Sequence, residues 1–202
     1  MERSDLIGNI AGMEWKMFGL MECKNDQVES PEDYITFMIM RTAQFMAWNS
    51  ETLESYFDDL NVAYDSGKNL MADKYGYLLQ WTRPETYEKV KSSLTPVHQE
   101  KLVLIDQIMD IQQKQAAAFG QQYPNLGSRG GRPATAAGAW PVSTQESYAR
   151  SELQIYSVRT LEQYLSYLLL LAENGISFVE RVMLYTVSVY GYATLEDAEA
   201  AG

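Results

Sequence analysis

The sequence predicts an all-α protein, a single compact multi-helix bundle of about eight to ten helices. Apolar residues recur at intervals of three and four along most of the chain, which is the helical period. No segment shows sustained two-residue alternation between hairpin turns. With 202 residues, 46% of them hydrophobic, the chain is long enough to build one sizeable core. We therefore expect one helical domain over residues 1–202, with a long irregular Gly/Arg loop at residues 122–143 inside it.

Start and stop signals place the first helices. Ser4 is a candidate N-cap for a helix over residues 5–21, and Ser30 followed by Pro31 begins a second helix that extends to about residue 48. Asn49 or Ser50 caps a third helix, which Gly67 ends. The fourth helix is expected over residues 69–81.

Similar signals divide the rest of the chain. Thr82 and the proline that follows begin a short fifth helix, and a break at residues 94–96 precedes a long helix over residues 97–121. Helices resume at residue 144 and continue to 174, with a break near Ser157. Two further segments, residues 176–190 and 194–200, complete the predicted set.

Composition excludes several classes of protein. The formal net charge is −11, with one histidine and one cysteine. This charge disfavours binding to nucleic acid and to anionic membranes, and no apolar run approaches the length of a membrane span. Neither His98 nor Cys23 has the partners that familiar metal or nucleophile chemistry needs. We expect a cytoplasmic protein without a signal peptide, cofactor or metal, and self-association into a homo-oligomer is left open.

The second predicted helix carries a charge in apolar surroundings. Arg41 and Gln44 are three residues apart on a helix that is apolar almost all round, and Trp48 follows on the same face. A buried guanidinium needs a carboxylate, carbonyl groups or a bound anion. The candidate internal partners are Glu14, Asp58, Asp59 and Glu152. Two interpretations stay open: a structural Arg–Glu pair, or a ligand pocket lined by Arg41, Gln44, Trp48 and Glu14.

The predicted loop is basic although the protein is acidic. Residues 111–145 contain no Asp or Glu, and Arg129 and Arg132 lie beside three glycines. Glycine-rich backbone can form an anion-binding nest, and arginines add charge-assisted donors. The loop is therefore either a lid that holds an anionic group or a solvated connector. It is not a P-loop, because no Gly-Lys-Ser/Thr follows and no strand precedes it.

The helix after the loop supplies candidates for proton transfer. Tyr148 and Glu152 are four residues apart and share a face. A phenol–carboxylate pair can transfer a proton if burial raises the pKa of the carboxyl. The same pair can also be an ordinary hydrogen bond.

A series of short segments resembles one known family. These segments are residues 14–18, 40–45 with Trp48, 53–56, 67–70, 74–75, 123–126, 131–133, 148–153 and 190–192. Their order and spacing resemble the bacterial domain of unknown function 4125 over nearly the whole chain. The resemblance implies a cytoplasmic prokaryotic protein with no established activity, so no catalytic residue is carried over. The family's Gly-Gly-Arg-Ala-x-Cys-Gln-like segment after the first helix is replaced here by residues 24–28, with Cys23 placed differently.

Two functions fit these patterns. The first is binding of a small carboxylate or phosphate ligand in a pocket within the bundle, with Arg129 and Arg132 as a lid. Tyr148 and Glu152 would then carry metal-independent acid–base chemistry, although an all-carboxylate Mg²⁺ site stays open. The alternative is a non-catalytic interaction or accessory module, which a large exposed apolar patch would favour.

Overall fold

The computed structural model describes residues 1–22, 31–128 and 145–201, and these residues form eleven α-helices, one 3-10 turn and no strand. The helices are α1 (Arg3–Glu22), α2 (Pro31–Ala47), α3 (Ser50–Asp65), α4 (Leu70–Thr82), α5 (Pro84–Val90), α6 (Gln99–Gln122), α7 (Pro124–Ser128), α8 (Gln145–Ile155), α9 (Val158–Glu173), α10 (Phe178–Val189) and α11 (Leu195–Ala200). The 3-10 turn is Lys91–Ser93. The predicted all-α class is confirmed.

Capping side chains explain where several helices begin and end. Asn49, Asn69 and Ser157 each accept a hydrogen bond from the backbone N–H three residues on, at the starts of α3, α4 and α9. Such bonds satisfy N–H groups that a helix start leaves without an intrahelical acceptor. Gly67 and Gly175 follow α3 and α9 with φ of 70° and 67°, a conformation that favours glycine.

The fifth helix begins differently from the prediction. Thr82 was expected to cap it, but Thr82 is the last residue of α4 and Arg83 occupies the cap position. The reason is local, because the Thr82 hydroxyl donates to the carbonyl of Leu78 at 3.1 Å and so bonds back within α4. Pro84 takes the first position of α5, where its missing N–H costs nothing.

Part of the predicted irregular stretch is helical. Residues 124–128 form α7. Residues of the last helix, α11, hydrogen-bond to Tyr123 and to the start of α7. Glu199 accepts hydrogen bonds from the backbone N–H groups of Asn125 and Leu126 at 2.8 and 2.9 Å. The rest of that stretch, including the Arg129 and Arg132 positions, lies outside the described residues.

One large core and a smaller second cluster hold the helices together. In the larger core, α1 packs on α2, α3 and α4, while α8 packs on α4 and α6. Its fully buried aromatic residues include Phe45, Trp48, Tyr56 and Tyr156. The smaller cluster joins the end of α6 to α7, α10 and α11. The larger core therefore brings α1, α2, α3, α4 and α8 together, and the polar site lies among these helices.

We predict that the contact between α6 and α7 tolerates no side chain at Gly127. A Cβ there would lie 2.8 Å from the Cα of Gly120, a backbone atom that cannot move aside alone. Gly127→Ala should lower the free energy of unfolding by about 1–3 kcal/mol, measured by urea denaturation. The matched control is Gly8→Ala in α1, where nothing lies within 4 Å. It should be neutral or stabilise by up to about 1 kcal/mol. Equal stability of the two variants would contradict this packing.

Candidate functional site

Arg41 lies at the centre of a buried cluster of charged and polar side chains. Its side chain comes from α2 and is 6% exposed. The guanidinium donates from Nε and Nη2 to the two carboxylate oxygens of Glu14, both at 2.5 Å. It donates from Nη1 to both oxygens of Glu152 at 2.9 Å. Two of the four candidate partners, from α1 and α8, therefore contact Arg41, and the bond to Glu14 has the two-pronged geometry typical of strong Arg–carboxylate pairs.

Gln44 bridges the arginine and one carboxylate. Its Oε1 accepts from Arg41 Nη1 at 2.8 Å, and its Nε2 donates to Glu152 Oε1 at 2.7 Å. This bridge depends on the three-residue spacing that places Arg41 and Gln44 on one face of α2. Gln44 is half-buried, so it lies closer to the surface than the ions that it joins.

Lys74 of α4 adds a second buried cation that the sequence analysis missed. Its side chain is 2% exposed, and Nζ lies 2.7 Å from Glu152 Oε2. A signal was present, because Lys74 interrupts the apolar face of a helix that also buries Leu70, Met71 and Tyr77. With Arg41, Lys74, Glu14 and Glu152, the cluster has two positive and two negative charges. Its formal charge is therefore zero.

Two buried phenols complete the hydrogen bonding of the carboxylates. Tyr56 donates to Glu14 Oε1, and Tyr156 donates to Glu152 Oε1, each at 2.6 Å. Burial, together with these carboxylates, raises the pKa of both phenols well above the ordinary value, so both remain donors. The phenol that contacts Glu152 is therefore Tyr156, four residues after it in the sequence. The predicted partner was Tyr148, four residues before it.

Glu152 remains ionised inside the protein. Burial alone would raise the pKa of this carboxyl, but Arg41 and Lys74 outweigh burial and hold the pKa well below its usual range. The acid–base hypothesis required a raised pKa at Glu152, and the direction found is the opposite. Burial likewise opposes the charge of Lys74, but Glu152 keeps the lysine pKa raised. At neutral pH Glu152 is an acceptor that holds cations and not a proton donor.

Tyr148 lies where this cluster approaches the surface. Its ring centroid is 4.2 Å from Lys74 Nζ, and its hydroxyl forms a hydrogen bond with that of Tyr75. Both tyrosines are half-buried. Burial and the charge of Glu152 would raise the pKa of Tyr148, but Lys74 first and then Arg41 and the Tyr75 hydrogen bond lower it, and the net shift is downward. Burial and its bond to Tyr148 raise the pKa of Tyr75. The two adjacent phenols thus differ in acidity.

The remaining predicted site residues lie elsewhere. Trp48 is 1% exposed and packs with the rings of Tyr56, Tyr156 and Tyr164, so it supports the cluster from the core side. The ring that contacts the guanidinium is Phe45, whose centroid is 4.6 Å from Arg41 Cζ. Arg129 and Arg132 lie outside the described residues.

The other two candidate partners of Arg41 serve different helices. Asp58 pairs with Arg159 at 3.1 Å on the surface, and Asp59 accepts hydrogen bonds at the start of α9. Within residues 1–22, 31–128 and 145–201, no three His, Cys, Asp or Glu side chains converge closely enough to hold a metal ion. The cluster has two carboxylates, and both already bind cations of the chain.

Comparison with known proteins places the chain in a family. A family model described as a protein of unknown function (DUF4125) matches residues 4–200. The chain belongs to this family. The DUF4125 match extends from α1 to α11 and so includes every residue of the cluster. The comparisons with curated proteins and with solved structures found no match. In the described part of the chain, no helix combines the length and apolarity that a membrane crossing requires.

We predict that Arg41→Met destabilises the protein strongly. The substitution removes the cation that two buried carboxylates share, and an unpaired buried charge costs about 3–5 kcal/mol. The matched control is Arg159→Met, which breaks a pair whose side chains are 68% and 61% exposed. It should change the free energy of unfolding by less than about 1 kcal/mol. Urea denaturation measures both. Similar values for the two variants would show that the buried ion pairs contribute little.

Glu152 should also make stability depend on pH. Its folded pKa lies below its ordinary value near 4.5, so its stabilisation is complete above about pH 4.5 and is lost as pH falls towards the folded pKa. Glu152→Gln lacks this contribution at every pH. The difference in unfolding free energy between wild type and Glu152→Gln should therefore shrink as pH falls below about 4.5. A constant difference would mean that Glu152 is not held ionised by its neighbours.

Proposed function

We propose that the protein carries out acid–base chemistry on a small molecule bearing a carboxylate or phosphate, with Tyr148 as the group that transfers the proton. The observation that carries this proposal is the position of the Lys74 ammonium, 4.2 Å from the ring centroid of a half-buried phenol. A general acid–base group must be reachable by a ligand and must have a pKa shifted towards the working pH. Tyr148 is partly exposed, and its lowered pKa moves it towards the second condition.

The proton transfer follows from the hydrogen bonds around Tyr148. In its ionised form, the Tyr148 oxygen takes a proton from the ligand and becomes a neutral phenol, and the negative charge passes to the ligand. The hydrogen bond with Tyr75 lowers the pKa of Tyr148 and so favours the ionised form. Return of the proton to the ligand or product regenerates the phenolate. The bond made and the bond broken are both to hydrogen, so no other reactant is needed.

Lys74 and the ions behind it act as positioning residues. Glu152 holds Lys74 at 2.7 Å, and Arg41 and Gln44 hold Glu152. Because Glu152 stays ionised, it orients the lysine without competing for the proton. Glu14 completes the shell by orienting Arg41. This assigns Glu152 a role different from the proton transfer that its spacing from Tyr148 suggested.

The same positive charge supports an anionic ligand. Lys74 and Arg41 favour negative charge at the Tyr148 oxygen, and a ligand carboxylate or phosphate beside this oxygen experiences the same attraction. Because Glu14 and Glu152 already bind the guanidinium of Arg41, we place the anion at the Tyr148 edge of the cluster. Arg129 and Arg132 lie outside the described residues, so their binding of the anionic group stays a prediction.

Tyr148→Phe tests the proposal because it removes one hydroxyl and little packing. We expect the wild type to contain a phenol that titrates below the ordinary tyrosine pKa near 10, seen as tyrosinate absorbance on raising pH, and the variant to lack it. The protein is then incubated in D₂O with a panel of small carboxylic acids and phosphate esters. Mass spectrometry should detect deuterium uptake by at least one member, and Tyr148→Phe should reduce this rate about 10²–10⁴-fold.

The control is Tyr64→Phe, whose ring is 70% exposed on α3. This variant should keep both the early titration and the deuterium uptake. The proposal is wrong if Tyr148→Phe leaves the phenol titration unchanged. It is also wrong if a panel member exchanges equally fast with wild type and Tyr148→Phe.

A further inference from the structure

A cleft separate from the charge cluster opens between α4, α5, α6 and α8. Its volume is about 500 Å³, within the range of small-molecule sites. The residues that line it are Tyr77, Gln80, Trp81, Tyr87, Lys91, Leu94, Thr95, Pro96, Val97, Leu102, Arg150 and Gln154. On α8, Arg150 and Gln154 are four residues apart and so share a face, about half a turn away from the face of Tyr148 and Glu152. The cleft is therefore on the other side of α8 from the proposed proton-transfer group.

Gln154 lines this cleft and has a buried side-chain acceptor without a hydrogen bond from the described residues. The residue is 8% exposed, and its side-chain Oε1 accepts no hydrogen bond from the described residues. Its backbone carbonyl, in contrast, accepts from Lys101 Nζ at 2.7 Å. A buried polar atom without a partner is costly, and nearly all such atoms in proteins are satisfied. Gln154 Oε1 therefore lacks a donor among the described residues, and an N–H or O–H of a bound molecule would supply one.

The charges that line the cleft have one sign. Lys91 and Arg150 are cationic, and no lining residue is acidic, although the whole chain has a formal charge of −11. Their present partners lie outside the lining: Lys91 pairs with Glu88 and Arg150 with Asp106, and both carboxylates are more than 60% exposed. Surface pairs of this kind contribute little. The two cations can therefore exchange these carboxylates for an anionic group of a ligand.

Aromatic and aliphatic side chains form the rest of the surface. Tyr77, Trp81 and Tyr87 are contributed by α4 and α5, and the segment from Leu94 to Val97 adds apolar contacts. The Tyr77 hydroxyl is already engaged, because it donates to the carbonyl of Thr95. These three rings can stack against an aromatic ring of a ligand or contact it edge to face.

We propose that this cleft binds an aromatic anion, a planar ring with an N–H donor joined to a carboxylate or phosphate. The N–H donates to Gln154 Oε1, the ring lies among Tyr77, Trp81 and Tyr87, and the anionic group meets Lys91 and Arg150. The inference goes beyond the proposed function, because it rests on the opposite face of α8 and needs neither Tyr148 nor proton transfer.

Isothermal titration calorimetry on the full chain tests the cleft with three probes. Indole-3-acetate and guanosine 5′-monophosphate both have a ring N–H, one with a carboxylate and the other with a phosphate, so they separate the two sources of the anion. Naphthalene-1-acetate has a similar shape and charge but no N–H. We expect at least one N–H probe to bind with a Kd below about 1 mM. We expect the naphthalene probe to bind at least about fivefold more weakly than the indole probe if the carboxylate is preferred.

Variants assign the binding to named side chains. Gln154→Met and Arg150→Met should each weaken the bound probe about fivefold or more, and circular dichroism checks that both variants are folded. Because the Arg150 side chain is 27% exposed and its partner Asp106 is on the surface, Arg150→Met keeps the test decisive even if the core change at Gln154 unfolds the protein. Lys114→Met, on an exposed part of α6, should leave the Kd unchanged. The inference is overturned if neither N–H probe binds below about 1 mM, or if Arg150→Met binds as tightly as wild type.

Discussion

The pairing of one buried guanidinium constrains the whole site. Arginine keeps its charge in proteins, so placing Arg41 in the core between α1 and α8 requires carboxylates from the helices that surround it. Glu14 and Glu152 meet this need, and Lys74 balances the second carboxylate. Each ion is held by at least two neighbours. The packing of four helices is therefore tied to one hydrogen-bonded network, and moving any of these helices would break ionic contacts as well as apolar ones.

Burial decreases across this network from one side to the other. Glu14 is 0% exposed and accepts a hydrogen bond from the fully buried Tyr56, whereas Tyr75 and Tyr148 are half-buried. Electrostatic interactions strengthen as water is excluded, so the deep ions provide a fixed arrangement and the outer phenols respond to it. This separation of a rigid interior from an accessible edge is typical of sites in which catalytic groups are preorganised.

The sequence was informative where local rules apply. The helical period predicted the all-α class, and cap residues such as Asn49 and stop residues such as Gly67 predicted helix ends. The charge of Arg41 in an apolar helix predicted internal carboxylates, because an unpaired buried ion is costly. Lys74 and Tyr156 were missed, since their contacts with Glu152 join residues brought together by tertiary packing. The lowered pKa of Glu152 could not be predicted from the sequence either, because it depends on cations from two other helices.

The order of the charged residues along the chain bears on how the protein is made. Glu14, Arg41 and Lys74 leave the ribosome first, and together they carry one excess positive charge. Glu152 follows 78 residues after Lys74. Closing the core before that point would bury an uncompensated cation, which is unfavourable. The nascent chain is therefore expected to keep its first four helices loosely docked until α8 has been synthesised.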